Sequence, residues 1–420
     1  MRALLGLAVR SAWNRRFVLS LVVLSIALST FLLLGVERIR SDVRENFSQS
    51  LSGTDLIVGA RTGSVQLLLY SVFRIGNATN NIRFSSVEAL AEHRAVAWVV
   101  PISLGDTHRG FSVVGTSAAY FDRFRHGAGQ SLQLAGGRRF EAVFDAVLGA
   151  EVAARLGYRV GDRIVLSHGD GAFAANEHAD KPFTVVGILK RTATPVDRSV
   201  HISLEAMEAL HLDWMAGSPL PGAAVAADQV SRYDLTPQNV TAALVGLKSR
   251  AAVFAVQRHV SEYEDEALMA VLPGVALDEL WDVVGAGERA LAAMSALVAA
   301  VSFFGLIAVV LAGLNERRRE LAILRAVGAG PRQVLGLLAL EGALVTIAGV
   351  ACGWLASVLA VLLLGGAFEA RFGIALQLRA PLERETWLLC GLLAAGWLAS
   401  LVPGYRAYRL SLVDGLSPRV

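Results

Sequence analysis

Four runs without a single charged residue constrain this chain more than any other feature: Phe17–Gly35, Ala290–Leu314, Gly342–Phe368 and Thr386–Tyr405. The shortest holds nineteen residues. At 1.5 Å per residue, a helix of that length reaches roughly 28 Å, enough to cross the hydrocarbon core of a bilayer. Backbone crossing lipid must satisfy its own hydrogen bonds, which leaves the helix as the conformer for such runs. A mean hydropathy of +0.51 is high for a soluble chain. The apolar residues are nevertheless concentrated in these runs, and the stretch between the first and second reads as globular. The expected fold is an α-helical membrane protein with four transmembrane helices plus a large mixed α/β extracytoplasmic domain between the first and second.

Charge sets the orientation. Arg2, Arg10, Arg15 and Arg16 lie before the first run, arginines fill 315–333, and Arg406, Arg409 and Arg419 follow the last run. Four spans put all three groups on one side, and the positive-inside rule makes that side the cytoplasm. The predicted layout is a cytoplasmic amphipathic segment at 1–16, spans at 17–35, 290–314, 334–368 and 386–405, an outer domain at 36–289, a cytoplasmic loop at 315–333, a short outer loop at 369–385 and a cytoplasmic tail at 406–420. The first run reads as a retained anchor, because no small-x-small cleavage site precedes Glu37–Arg40. Arg38, Arg40 and Arg44 fall outside, which a long translocated loop tolerates. Net charge is only +3, the lysines are Lys181, Lys190 and Lys248, and no cationic stripe interleaved with aromatics is present, so nucleic acid is not an expected partner. Cys352 and Cys390 both fall in spans, leaving the outer domain without a disulfide or thiolate site.

The cytoplasmic loop is built as a docking surface. Arg318, Arg325 and Arg332 recur every seven residues, and Leu321 and Leu324 start an apolar stripe on a short surface helix. Gly328 suits the end of that helix and Pro331 the start of the next. Retention by positive charge explains the arginines but neither the Glu316/Glu320 pair nor the Gly-Ala-Gly-Pro break. Glu341 sits just within the third span, where a carboxylate is a functional candidate or an interfacial ion-pair partner.

In the outer domain, residues 36–52 extend the first span as a stalk. Strands are predicted from Asp55 and at Ala97–Ser103, Gly110–Gly115, Ala142–Gly149, Arg163–Ser167, Phe183–Lys190 and Asn239–Lys248. Helices are predicted at Ser85–His93 with Ser85 as cap and Glu88 facing it, and at Ala150–Leu156, Leu204–Leu210 and Ser249–Val260. Glu262–Arg289 reads as a second stalk interrupted at Pro273-Gly274. The alternation predicts a mixed α/β domain with two lobes. The apolar segment 63–82 reads as a core helix or as a grip for an apolar surface. His168, Asp170 and His178 lie in a glycine-rich stretch and could ligate a divalent metal, with Zn suited to the imidazoles, although polar loops carry such residues routinely. His201 and His211 are too far apart in sequence to share a helix face by spacing alone.

No phosphate-cradling Gly-x-x-x-x-Gly-Lys loop, Gly-x-Ser-x-Gly elbow or His-Glu-x-x-His helix is present, so neither nucleotide binding by that route nor catalysis is expected. The stretch Asn315-x-Arg317-x-x-Glu320-Leu-Ala-Ile-Leu-Arg325-Ala-Val-Gly328 resembles the signature of the MacB/FtsX-like permeases, four-span subunits of ABC transporters. Glu341, the glycines at 342, 349 and 353, and the tail from Val402 to Leu416 fit that pattern, as do Phe111–Thr116, Leu148–Asp162 and Phe183–Leu189 more weakly. The resemblance implies a bacterial inner-membrane protein that binds no cofactor directly. ATP and Mg would be used by a partner ABC ATPase dimer, touched through Glu316, Arg317, Arg318, Glu320, Leu321, Leu324, Arg325 and Gly328. It further implies a second permease copy, a periplasmic adaptor or outer-membrane partner, membrane lipids around the spans, and export or extraction of a peptide, lipid or amphiphile by mechanotransmission. The alternatives are an FtsX-like scaffold that activates a periplasmic hydrolase, or part of a Zn-handling system. The 63–82 and 168–180 segments depart from the macrolide-exporter pattern.

Overall fold

The structure is a computed structural model, and it describes residues 16–50, 52–127, 129–169, 178–215, 218–219, 225–316, 323, 325–372, 376 and 378–409. The chain divides into a membrane unit (1–42, 285–369 and 376–420) and an outer unit (43–284 and 370–375).

Among the described residues, four helices are long and apolar enough to cross a bilayer: Arg16–Gln49, Pro273–Glu316, Pro331–Phe372 and Glu383–Arg409. Each runs past its uncharged sequence run, because a helix does not stop where charge begins. Small residues let them approach closely. A Cβ on Gly349 would lie 2.7 Å from Ile26, and one on Gly353 would lie 2.5 Å from the Ala27 carbonyl, so the first and third spans meet backbone to side chain. Hydroxyls join the first and second, with Ser302 Oγ 2.9 Å from Ser25 Oγ and 2.8 Å from Ser29 Oγ. The last helix continues through Pro403 to Arg409, past the predicted span end at Tyr405. A proline is tolerated inside a membrane helix when neighbouring groups satisfy the freed carbonyl.

The arginines after the first span are matched by acids. Arg38 meets Glu385 at 3.4 Å and Arg379 meets Asp42 at 2.8 Å, with both carboxylates buried. Arg40 donates to Glu288 at 2.5 Å. Tolerance of misplaced charge is therefore not the whole account of these residues.

In the outer unit, a mixed sheet runs in the order Arg163–Ile164, Phe183–Leu189, Asp145–Leu148, Ser199–Ser203, Phe111–Thr116, Val96–Ser103, Ala242–Leu247, Leu56–Ala60 and Leu268–Val271. Two pairs in it are parallel, Phe183–Leu189 with Asp145–Leu148 and Ser199–Ser203 with Phe111–Thr116; the others are antiparallel. Its two halves join through a short register, Ile102 opposite Thr116 and Ser103 opposite Gly115. One half packs on Phe111, Val113, Leu148, Phe183 and Ile202, and the other on Leu56, Val58, Val245 and Ala270.

Several sequence expectations are corrected here. Ser85 is not a cap: the helix begins at Phe84 after Arg83, with no side-chain cap. The Glu266 carboxylate, from a distant segment, accepts from the Arg83 N–H at 3.0 Å and from the Ser86 hydroxyl at 2.7 Å at this helix start. The second stalk does not start at Glu262. Residues Leu268–Val271 form an edge strand, and Pro273 is the first residue of the long helix rather than a break in it, a position where its missing N–H costs nothing. Within 63–82, Leu67, Leu68, Tyr70, Val72 and Phe73 are buried in a helix over Ser64–Phe73, so that part of the segment is core.

Candidate functional site

A short antiparallel pairing builds the first half of the site. Asp106–His108 pairs with Ser167–His168 so that His168 stands directly opposite Asp106. The pairing is fastened by Thr107 Oγ1 donating to the Gly169 carbonyl at 2.5 Å and by the Gly169 N–H donating to the Gly105 carbonyl at 3.0 Å. Gly105 and Gly169 have φ of +154° and +66°, turns that glycine adopts without strain. The second half comes from the helix Leu204–His211, capped by Ser203 Oγ accepting from the Ala206 N–H at 3.0 Å. Its last residue is His211. His178 arrives last, its N–H bonded to the Leu166 carbonyl at 2.9 Å.

These elements bring Asp106, His168, His178 and His211 together, with one ligand-type atom from each and all four atoms within 4.8 Å of one another. His168 Nδ1 donates to Asp106 Oδ1 at 2.9 Å, and His211 Nε2 lies 3.2 Å from His168 Nδ1 and 3.5 Å from Asp106 Oδ1. His211 Nδ1 donates to the Met207 carbonyl at 2.8 Å, which turns Nε2 toward the cluster. Asp106 is 2% exposed and His178 1%, while His168 and His211 are partly open.

A buried ion pair braces the two histidines that come from separate segments. Lys181, three residues after His178 and fully buried, donates to Asp213 Oδ1 at 2.7 Å, two residues after His211. Burial would raise the Asp106 carboxyl, but hydrogen bonds from His168 and His211, with the nearby imidazoles, hold it at about 2. Burial pushes His178 down to about 4, so it is neutral at physiological pH. Burial also lowers His211, but its hydrogen bond to Asp106 and that residue's charge outweigh this and raise it. Beside the cluster opens a cleft of about 350 Å³, lined by Asp106 and His168 on one side and by Tyr70, Arg74, Asn77 and Asn81 among others.

The sequence-predicted ligand set is thus partly assembled and partly replaced. His168 and His178 are brought together, Asp170 lies outside the described residues, and the carboxylate present is Asp106. Asp106 and His211 were missed because strand pairing and a helix end place them there, and sequence spacing carries no trace of either. His201 is elsewhere, buried against Tyr120 and Phe121.

Of the predicted docking residues, Glu316 ends the second membrane helix, while Arg317, Arg318, Glu320, Leu321 and Leu324 lie outside the described residues. Arg325 is helical. Gly328 follows with φ +103° and its N–H on the Arg325 carbonyl at 3.1 Å, a left-handed helix end. The next helix starts at Pro331, with the Gln333 side chain accepting from the Gly330 N–H at 2.9 Å. Glu341 is 2% exposed within that helix.

Comparison with known proteins follows this architecture. The family model for the MacB-like periplasmic core domain matches residues 18–263, and that for the FtsX-like permease C-terminal matches 292–412. The lipoprotein-releasing system transmembrane protein LolC of Neisseria meningitidis serogroup B is 28% identical over 219 residues, a match spanning 50% of this chain and 47% of that protein. The periplasmic region of MacB from Actinobacillus actinomycetemcomitans is 11% identical with a TM-score of 0.33, covering 55% of this chain and 94% of that one. The extracellular domain of the noncanonic ABC-type transporter YknZ from Gram-positive bacteria is 12% identical with a TM-score of 0.30, covering 52% and 99%. The chain belongs to the MacB/FtsX-like family of ABC-type permeases, membrane proteins with a periplasmic domain.

Proposed function

We propose that this permease sits in a bacterial inner membrane as one of two copies above a pair of ABC ATPase subunits, and converts their nucleotide cycle into movement of its outer unit. One observation carries the reading: the helices Arg16–Gln49 and Pro273–Glu316 each continue without a break from an apolar span into the chain of the outer unit. The two stay paired in both parts. Ser25 and Ser29 contact Ser302, and Arg40 contacts Glu288, in the membrane unit. In the outer unit Phe47 packs on Trp281 with ring centroids 5.7 Å apart, and Arg44 meets Asp278 at 3.6 Å. A displacement begun at the inner end of such a pair has a stiff route outward, with no need for a channel.

The motor's contact is assigned to the loop from Glu316 to Gly328, with Glu320 and Arg325 as its charged anchors. The similarity to a lipoprotein-releasing protein favours a lipid-bearing or otherwise amphiphilic cargo taken up outside the membrane. The test is to replace Arg325 or Glu320 by Ala in the full chain and measure ATPase co-purification and membrane insertion. Loss of the ATPase with insertion retained is expected. Undiminished recovery of the ATPase would remove the docking assignment.

A further inference from the structure

We propose that Asp106, His168, His178 and His211 form a binding site for one divalent transition metal, best matched to Zn²⁺, on the periplasmic unit. Four donors converge, three imidazole nitrogens and one carboxylate oxygen, with no thiolate among them. That set suits Zn²⁺ and its borderline neighbours, whereas Mg²⁺ and Ca²⁺ prefer all-oxygen shells.

The spacing is that of a tetrahedral shell. With metal–ligand bonds of about 2.0–2.1 Å, tetrahedral ligands stand about 3.3 Å apart. Of the six separations here, the three among Asp106, His168 and His211 are 2.9, 3.2 and 3.5 Å, and those to His178 are within 4.8 Å. Small side-chain adjustments suffice to close the shell.

The surroundings are those of a ligand set. His211 gives its Nδ1–H to a backbone carbonyl, the outer contact that fixes a metal-binding imidazole in the tautomer with Nε2 available. Asp106 has its side chain fully buried, yet its Oδ2 has no hydrogen-bond partner among the described residues. Its Oδ1 meets His168 and His211, so a cation held by these side chains would also offer the buried Oδ2 the partner that buried polar atoms normally have. Lys181 and Asp213 hold the His178 and His211 segments in register without entering the cluster. Access is open through His168 and His211, with side chains 31% and 28% exposed, beside the cleft that also carries Arg74, Asn77 and Asn81. The site is therefore reachable by an exchangeable ion.

The full chain, purified in detergent and stripped with a chelator, is titrated with Zn²⁺ against a chromophoric competitor, and bound metal is counted by mass spectrometry. One Zn²⁺ per chain with sub-micromolar affinity is expected. His168→Ala, whose side chain is partly open, and Asp106→Asn should each weaken binding at least 100-fold. His259→Ala, remote from the cluster, should leave binding unchanged. Replacing Zn²⁺ with Co²⁺ should give the intense visible bands of a tetrahedral nitrogen–oxygen site, which adventitious surface binding does not produce. Wild-type chain that binds no Zn²⁺ at micromolar concentration, or a folded His168→Ala chain that binds as tightly as wild type, overturns the proposal. Neither result bears on the ATPase-docking reading.

Discussion

The outer unit and the membrane unit both bury polar groups, but they satisfy them in different ways. Within the apolar spans, hydroxyls bond to their own helix or to a neighbouring span: Thr30 donates to the Ile26 carbonyl at 2.8 Å and Thr346 to the Gly342 carbonyl at 2.9 Å, and Ser29 meets Ser302 at 2.8 Å. Glycines then bring the backbones together, and packing holds the spans where lipid gives no hydrophobic drive. In the outer unit, buried polar side chains come from segments far apart in sequence and meet each other. Lys181 meets Asp213, and Asp106 meets His168 and His211. The first arrangement specifies helix spacing. The second fixes loops and leaves a set of donors facing inward.

The largest expected effect tests the second arrangement. Lys181→Met removes one partner of a fully buried pair and leaves the Asp213 carboxylate uncompensated, which costs about 3–5 kcal/mol. Hydrogen exchange in peptides covering Phe183–Leu189 and Leu204–His211 should rise accordingly, and the double change Lys181→Met with Asp213→Leu should recover most of the loss. If Lys181→Met alone leaves exchange unchanged, the pair is not the brace described here.

A smaller effect is expected in the membrane unit. Gly353→Val places branched carbon against the Ala27 carbonyl and Thr30, where even a Cβ would sit 2.5 and 2.6 Å away. Overpacking of this kind costs about 1–3 kcal/mol. The midpoint of thermal unfolding in detergent should fall, while Gly366→Val, where no atom lies within 4 Å of the added carbon, should not change it. Equal effects at the two positions would mean that glycine packing does not set the contact between the first and third spans.

How much of this was legible in the sequence follows the same division. Spans announce themselves because lipid demands an unbroken apolar helix, so Phe17–Gly35 and its counterparts were readable by inspection. Strands such as Phe183–Leu189 were readable because the run is rich in β-branched residues that a mostly buried strand favours. Ser199–Ser203 was not, since His201 interrupts its apolar run, and Asp106–His108 has no apolar pattern at all. The same holds for the candidate site. His168 and His178 drew notice through local clustering, whereas Asp106 and His211 join them only through a strand register and a helix terminus. The acids that meet Arg38 and Arg379 were equally hidden, because Glu385 and Asp42 come from opposite ends of the chain.

His201 is a buried titratable group of the outer unit that sits outside the candidate site. Burial, with the Arg74 guanidinium beside it, drives its pKa down to about 3, and its Nδ1 lies 3.3 Å from the Val147 carbonyl. The unfolded chain has an ordinary imidazole near 6.5, so between about 3 and 6.5 the unfolded state holds the extra proton and stability rises with pH. The contribution is complete above 6.5 and is lost as pH falls toward 3, at up to about 1.4 kcal/mol per pH unit. The protection of peptides covering Ser199–Ser203, taken relative to the intrinsic exchange rate at each pH, should therefore fall from pH 6.5 to 5, and His201→Phe should flatten that limb. Burial also lowers His93, His108, His126 and His178, which give limbs of the same sign. His211, raised by Asp106, acts with the opposite sign above 6.5. Neither set differs between wild type and variant; of the groups that face His201, burial raises the Tyr120 phenol to about 12 and lowers the Arg74 guanidinium. A His201→Phe chain with an unaltered acid limb would show that the buried polar groups of the outer unit titrate elsewhere.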